Sequence, residues 1–168
     1  MKAAIAQSQV SVDAGCMPFG AVLADASGTI LLEARNASLA SAKRGGKGDV
    51  TRHAEMELVR KMATIDIPEP NQCTIYSSTE PCVMCAGAIY WSGVSRVVYG
   101  VSSKDLEDMV SGPGGFDIPI QTLYSMGRSG MRKIDVVGPL LADEALHVHR
   151  NSGVWCKPCP PGGPDKAD

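Results

Sequence analysis

Two short stretches hold the side chains best suited to metal chemistry: His53-Ala54-Glu55 and Pro81-Cys82-Val83-Met84-Cys85. One imidazole and two thiolates supply three protein ligands. Zinc held by three protein ligands keeps a fourth position open for water, which marks a catalytic site rather than a closed structural one. A carboxylate beside that water, here Glu55, can take its proton and deliver it to a leaving group. A competing use of the thiols joins Cys82 and Cys85 to Cys156 and Cys159 in a closed four-thiolate site, which leaves His53 and Glu55 without a role.

The spacing dictates where these residues must sit. Cys82 and Cys85, at i and i+3, share one face of a helix. In its first turn the positive end of the helix dipole favours the thiolates that zinc needs. His53 and Glu55 are at i and i+2, and in mid-helix they would diverge by roughly 200°. They converge only off a helix N-terminus, and Asp49 or Thr51 can cap a helix there. Two helix N-termini are therefore expected to face one metal.

Around these residues the pattern predicts a helix over 2–14 with Ala3, Ala6 and Val10 inward. A hairpin follows, with strands at Phe19–Ala24 and Thr29–Ala34. The metal-ligand helix should run from about Thr51 to Met62, with Met56, Val59 and Met62 as its buried stripe. A strand at Cys73–Ser77 leads to a second ligand helix, with Pro81 in its first turn and its end near Ser92-Gly93. Strands at Arg96–Tyr99 and Lys133–Val137 flank a Gly- and Pro-containing segment, residues 101–120, and a last helix spans about Leu140 to Arg150. Strands interleaved with helices imply a layered α/β domain with a mixed sheet. The Pro- and Gly-rich run from Lys157 reads as a disordered tail, which sets residues 156–168 apart from a catalytic domain of residues 1–155.

The chain has 168 residues, 44% hydrophobic and 20% charged, which suits one ordinary globular domain. No apolar run approaches the ~20 residues of a membrane helix, so no membrane partner is expected. The N-terminal residues lack a secretory apolar stretch, so a cytoplasmic location is the expectation. A net charge of −2 gives no excess to hold a phosphate backbone. Two Cys-x-x-Cys pairs among six cysteines favour metal or redox chemistry over structural disulfides. Cys16 and Cys73 read as buried small residues. His147 and His149 read as surface residues of the last helix, and Trp91 as core or dimer contact.

With these residues in place, the chain resembles the cytidine deaminase superfamily, in particular its guanine deaminase, cytosine deaminase and tRNA adenosine deaminase branch. The matching stretches are Pro18-Phe19-Gly20-Ala21-Val22, Asn36, His53-Ala54-Glu55, Val97-Val98-Tyr99-Gly100, and the run from Glu80 through Cys82 and Cys85 to Ile89. The His-x-Glu…Pro-Cys-x-x-Cys pattern is that of zinc deaminases. The resemblance implies a three-layer α/β/α sandwich around a five-stranded mixed sheet, one Zn2+ per chain and usually a homodimer. It implies that His53, Cys82 and Cys85 bind zinc and that Glu55 shuttles protons. Asn36 would hydrogen-bond the substrate. The backbone carbonyl of Glu80 would accept from the departing amine, its side chain having either a substrate or a structural role, and the Cys82 N–H would donate to a ring oxygen. The implied reaction is hydrolytic: hydroxide made from the zinc's water attacks an amine-bearing ring carbon, and ammonia leaves.

The substrate is less sharply marked. One reading is a free nucleobase or nucleoside, such as guanine, cytosine or a related amino-heterocycle. A second is adenosine in a tRNA anticodon, and a third is a zinc-binding domain without activity. The small substrate is favoured by a C-terminus that is not basic. It is favoured also by Gly115-Phe116-Asp117, similar to a segment of guanine deaminases, and by Trp155, placed where small-base relatives carry an aromatic lid. Phe19, Asp117 and Trp155 are accordingly expected at the substrate, although Phe116 and Trp155 can equally be core and Asp117 a turn cap. The tRNA reading rests on Val83-Met84-Cys85-Ala86-Gly87-Ala88 and on the basic cluster Lys43, Arg44, Lys47 and Arg52, which could touch phosphate. The loop Ser111-Gly112-Pro113-Gly114-Gly115 departs from the tRNA enzymes.

Overall fold

The computed structural model describes residues 1–40, 47–110 and 115–155. Five strands form one sheet in the order β2-β1-β3-β4-β5: β1 Gly20–Ala24, β2 Ile30–Arg35, β3 Thr74–Thr79, β4 Arg96–Val101 and β5 Asp135–Val137. β1 runs antiparallel to both β2 and β3, whereas β3, β4 and β5 are parallel, so the sheet is mixed. Every residue of β1 is buried, as a strand covered on both faces requires.

The helices make two layers. α1 (Lys2–Asp13) and α6 (Ala142–Asn151) pack on each other and on one face of the sheet, around Ile5, Val101, Ala145, Leu146 and Val148. α2 (Ala54–Met62), α3 (Val83–Trp91) and α5 (Ile120–Ser125) cover the other face, where Ala21, Leu23, Leu58, Ile75, Ile89, Val97 and Ile120 form the larger core. The expected three-layer α/β/α sandwich with a five-stranded mixed sheet is therefore the fold. α1 lies so close to β1 that a Cβ on Gly20 would stand 2.3 Å from the Ala4 carbonyl oxygen.

Several expected details differ. The buried side of α1 is Ala4, Ile5, Ser8 and Ser11, not Ala3, Ala6 and Val10. The two serines tolerate burial because their hydroxyls donate to backbone carbonyls, Ser8 to Ile5 at 2.7 Å and Ser11 to Met17 at 2.6 Å. α2 starts at Ala54, because Asp49 closes a local turn onto the N–H and hydroxyl of Thr51 instead of capping the helix. Its buried positions are Ala54, Glu55, Leu58 and Met62, so the stripe is phased on Leu58, and Met56 and Val59 are half-buried. Pro81 precedes the N-cap of α3 rather than occupying its first turn.

The segment 101–120 is not simply a loop. It contains α4 (Ser103–Met109) and the start of α5. Ser102 caps α4 by accepting from the Asp105 N–H at 3.0 Å and donating to the Asp105 carboxylate at 2.6 Å. Trp91 is 83% exposed and Phe116 78%, so neither is core, whereas Cys16 and Cys73 are buried as expected. His149 is not a surface residue: it is 1% exposed. The expected tail, Cys156 and Cys159, Lys43, Arg44 and the loop 111–114 lie outside the described residues.

Candidate metal centre and active site

The centre forms where two helices begin. His53 is the N-cap of α2 and Cys82 the N-cap of α3, and both have extended backbone angles. N-cap side chains commonly fold back on the first helix amides. Neither does so here, and both turn toward one point instead. Cys85, in the first turn of α3, completes the set from a buried position. The Nδ1 of His53 is 3.6 Å from the Sγ of Cys82 and 3.6 Å from the Sγ of Cys85. All three ligand atoms lie within 4.8 Å of one another.

These distances test the fit of zinc. With Zn–S of about 2.3 Å, Zn–N of about 2.05 Å and a tetrahedral angle, the N···S edge should be about 3.6 Å. The observed edges agree, so His53, Cys82 and Cys85 are placed to hold a zinc ion with one position left over.

The electrostatics match a site built for a cation. The hydrogen bond from Cys85 pulls the Cys82 thiol down to about 4, and the same bond, with burial, pushes Cys85 upward. The bond to Cys82 raises His53. A bound dication takes the place of these protons, because zinc binds thiolate and neutral imidazole.

Glu55 is buried in the first turn of α2 and accepts a 2.8 Å hydrogen bond from the hydroxyl of Ser77 on β3. Burial raises its carboxyl above the ordinary value, outweighing the Ser77 bond. A carboxyl so placed holds a proton more readily than one in water, as a proton carrier must.

A cavity of about 440 Å³ opens over the centre at the carboxyl end of β3 and β4. In parallel sheets this is the end where ligands bind. His53, Glu55 and Cys82 line it together with Phe19, Tyr99, Asp117 and Trp155. Asn36 is not part of that wall. It is buried, and its side-chain oxygen accepts from the N–H and hydroxyl of Ser38 at 3.0 and 2.8 Å.

Glu80 borders the cavity, but its carboxylate faces the fold. One oxygen accepts from the Ile120 N–H at 2.8 Å and the other from the Ser103 N–H at 2.9 Å. One side chain thus holds the first amides of α4 and α5, where unsatisfied donors collect, and fixes the outer wall. Sequence reasoning missed Ser77, Thr79, Tyr99 and α4 as parts of this site. Only α4 had a local signal, the Ser102-x-x-Asp105 capping pattern. The others become site residues through strand pairing.

The comparisons with known proteins agree with this geometry. Guanine deaminase from Nitrosomonas europaea superposes with a TM-score of 0.68 at 25% identity, over 89% of this chain and 80% of that one. A tRNA:A34 deaminase superposes with a TM-score of 0.66 at 23% identity over 88% of this chain and 96% of that one, a likeness of fold. The model of the cytidine and deoxycytidylate deaminase zinc-binding region matches residues 1–101. A Schizosaccharomyces pombe protein described as a probable cytosine deaminase is 36% identical over 159 residues, covering 92% of this chain and 90% of its own length. Guanine deaminase from Bacillus subtilis is 34% identical over 70% of this chain and 69% of its own length. The chain belongs to the cytidine and deoxycytidylate deaminase zinc-binding family, whose members are hydrolases of C–N bonds. Among the described residues, no helix is long and apolar enough to cross a membrane.

Metal analysis of the purified chain should give one zinc per chain, strongly reduced in Cys82→Ala. Zinc kept in Cys82→Ala and lost in Cys156→Ala would mean that the metal sits in a different, closed site.

Proposed function

We propose that this chain is a hydrolytic deaminase of a free nucleobase or nucleoside, with residues 1–155 as its catalytic domain. The observation that carries the reading is the cavity: it is closed in by aromatic rings, floored by His53, Cys82 and Glu55, and edged by acid. Its volume suits a small molecule. Phe19, Tyr99 and Trp155 offer faces and edges to a flat heterocycle. Among the described lining residues, Glu107 and Asp117 face one lysine, Lys104, which is already bound to Asp108 at 3.0 Å. Such a rim repels phosphate. Arg52, the described arginine of the basic cluster, is held by Glu57 at 2.7 Å rather than free for a nucleic acid backbone. The relatives described as cytosine and guanine deaminases support the same reading.

A zinc ion held by His53, Cys82 and Cys85 would supply Lewis acidity, bringing the pKa of water down to about 7. Glu55 takes a proton from the attacking water and gives it to a ring nitrogen. The water oxygen bonds to the amine-bearing carbon. Glu55 then takes the second water proton and passes it to the amine, the C–N bond breaks, and ammonia leaves an oxo-heterocycle behind. Ser77 orients the Glu55 carboxyl throughout. Phe19 and Trp155 hold the ring, and Asp117 accepts from a ring N–H or amine. The Glu80 carbonyl receives the departing amine, and the Cys82 N–H donates to the ring oxygen. Asn36, expected at the substrate, lies behind the cavity wall with its side-chain oxygen engaged by Ser38.

A second reading, deamination of tRNA adenosine, has support in a Buchnera aphidicola tRNA-specific adenosine deaminase, 32% identical over 88% of this chain and 82% of its own length. Ammonia release by zinc-loaded protein separates the two. The panel holds guanine, cytosine, adenine, isocytosine, their nucleosides and an anticodon stem-loop, with Glu55→Ala as blank. Turnover of a base or nucleoside is expected; turnover of the stem-loop alone overturns the small-substrate reading.

We also infer a homodimer. The outer face of α3 exposes Met84 and the largely uncovered Trp91 on a helix that is almost wholly apolar, and such a face favours a partner surface. Sedimentation equilibrium should return twice the chain mass, with Trp91→Glu shifting it toward the monomer. A wild-type monomer at micromolar concentration contradicts the inference.

A further inference from the structure

The described chain ends on Trp155, and neither a helix nor a strand holds that residue. After α6 the backbone turns back through Gly153, whose φ of +70° is a left-handed conformation that favours glycine. Within the turn Ser152 donates from its hydroxyl to the His149 carbonyl at 2.7 Å, and the Val154 N–H donates to Ser152 Oγ at 3.2 Å. The indole N–H of Trp155 then donates to His149 Nδ1 at 3.2 Å. On the other side of the imidazole, Nε2 lies 3.0 Å from the hydroxyl oxygen of Thr79, the last residue of β3.

The donor chemistry fixes the proton. An indole N–H only donates, so Nδ1 must be bare, and in the neutral ring the proton sits on Nε2 and is donated to Thr79. The imidazole is neutral at pH 7, because burial pushes it down to about 4. Its ring also meets Phe19 edge-to-face at 5.2 Å, and Phe19 approaches Trp155 at 6.5 Å. Phe19, Thr79 and Trp155 all line the cavity over the metal centre, while His149 stands behind them. An apolar residue in its place would fill the space but leave the indole N–H and the Thr79 hydroxyl unmatched.

We propose that His149 is a positioning residue: protonated on Nε2, it ties Trp155 to the end of β3 and so fixes the indole as a wall of the active-site cavity. Its kinetic consequence rests on the small-substrate reading above; the tie itself does not. His149 acts through Trp155 and touches no reacting atom. Its loss therefore weakens the hold on the heterocycle and leaves the proton transfers of Glu55 in place.

Two sets of measurements test this. Long-range 1H–15N spectra of the folded wild-type protein read the tautomer of His149 directly; a bare Nδ1 with Nε2–H is expected, and Nδ1–H overturns the proposal. In a Trp91→Phe background Trp155 is the remaining tryptophan, and His149→Phe should raise its quenching by acrylamide while His149→Gln, which keeps an acceptor and a donor, should not. Unchanged quenching in folded His149→Phe overturns the proposal. On the base that the wild type turns over, His149→Phe should raise KM about five- to tenfold, a partial loss of base–aromatic stacking, with kcat within about twofold. His149→Gln should restore KM, and Trp155→Ala should raise KM at least as far as His149→Phe, with no rise beyond Trp155→Ala in the double variant. Additive losses would mean that His149 acts elsewhere. Loosened Trp155 in a chain inactive on every base would contradict the substrate reading and leave the His149 assignment standing.

Discussion

The convergence of two helix N-termini on one point is the constraint on which the rest of the structure depends. His53 and Cys82 are both N-caps, and both point away from their own helices. An N-cap residue has extended backbone, so its side chain can leave the helix axis at an angle that no interior residue allows. This is how His53 and Glu55, two positions apart, reach one site: His53 leaves from the cap, while Glu55 enters from the first turn and is held by Ser77. Moving the start of α2 by one residue would separate the ligand from the carboxylate.

A second layer of organisation surrounds that point. The sheet supplies it through β3, whose Ser77 orients Glu55, whose Thr79 receives His149 and whose continuation, Glu80, accepts the first amides of α4 and α5. A buried carboxylate is costly unless its oxygens are hydrogen-bonded, and the two bonds to Glu80 meet that need while fixing the cavity wall. The cavity is thus assembled from elements far apart in sequence, each joined to one strand end.

The metal centre was legible in the sequence because it is encoded locally. The pattern His53-x-Glu55 and Cys82-x-x-Cys85 carries both the ligand identities and the argument that helix ends must meet, although the N-caps are His53 and Cys82 themselves rather than Asp49 or Thr51. The strands themselves were legible as short apolar runs, and the three layers came with the family resemblance; the strand order appears only in the folded sheet, one face of which Ala21, Leu23, Ile75 and Val97 fill. What escaped is non-local. His149 looked like a surface histidine because helix periodicity cannot report a hydrogen bond to Thr79 or an indole folding back from Trp155. Ser8 and Ser11 were not among the expected inward residues of the first helix, and their acceptors, the Ile5 and Met17 carbonyls, appear only once the chain is folded. Glu80 could not be separated into substrate and structural roles until α4 and α5 were in place. The identity of the heterocycle depends on the cavity wall, built from just these non-local contacts.

The most direct test of the account is the Glu55→Gln enzyme, which keeps shape and hydrogen-bonding capacity but cannot carry the proton. The account predicts one zinc per chain, unchanged affinity for the base and turnover reduced by at least ~10²–10⁴-fold, the range for general acid–base catalysis. Turnover near the wild-type rate in zinc-loaded Glu55→Gln would contradict it.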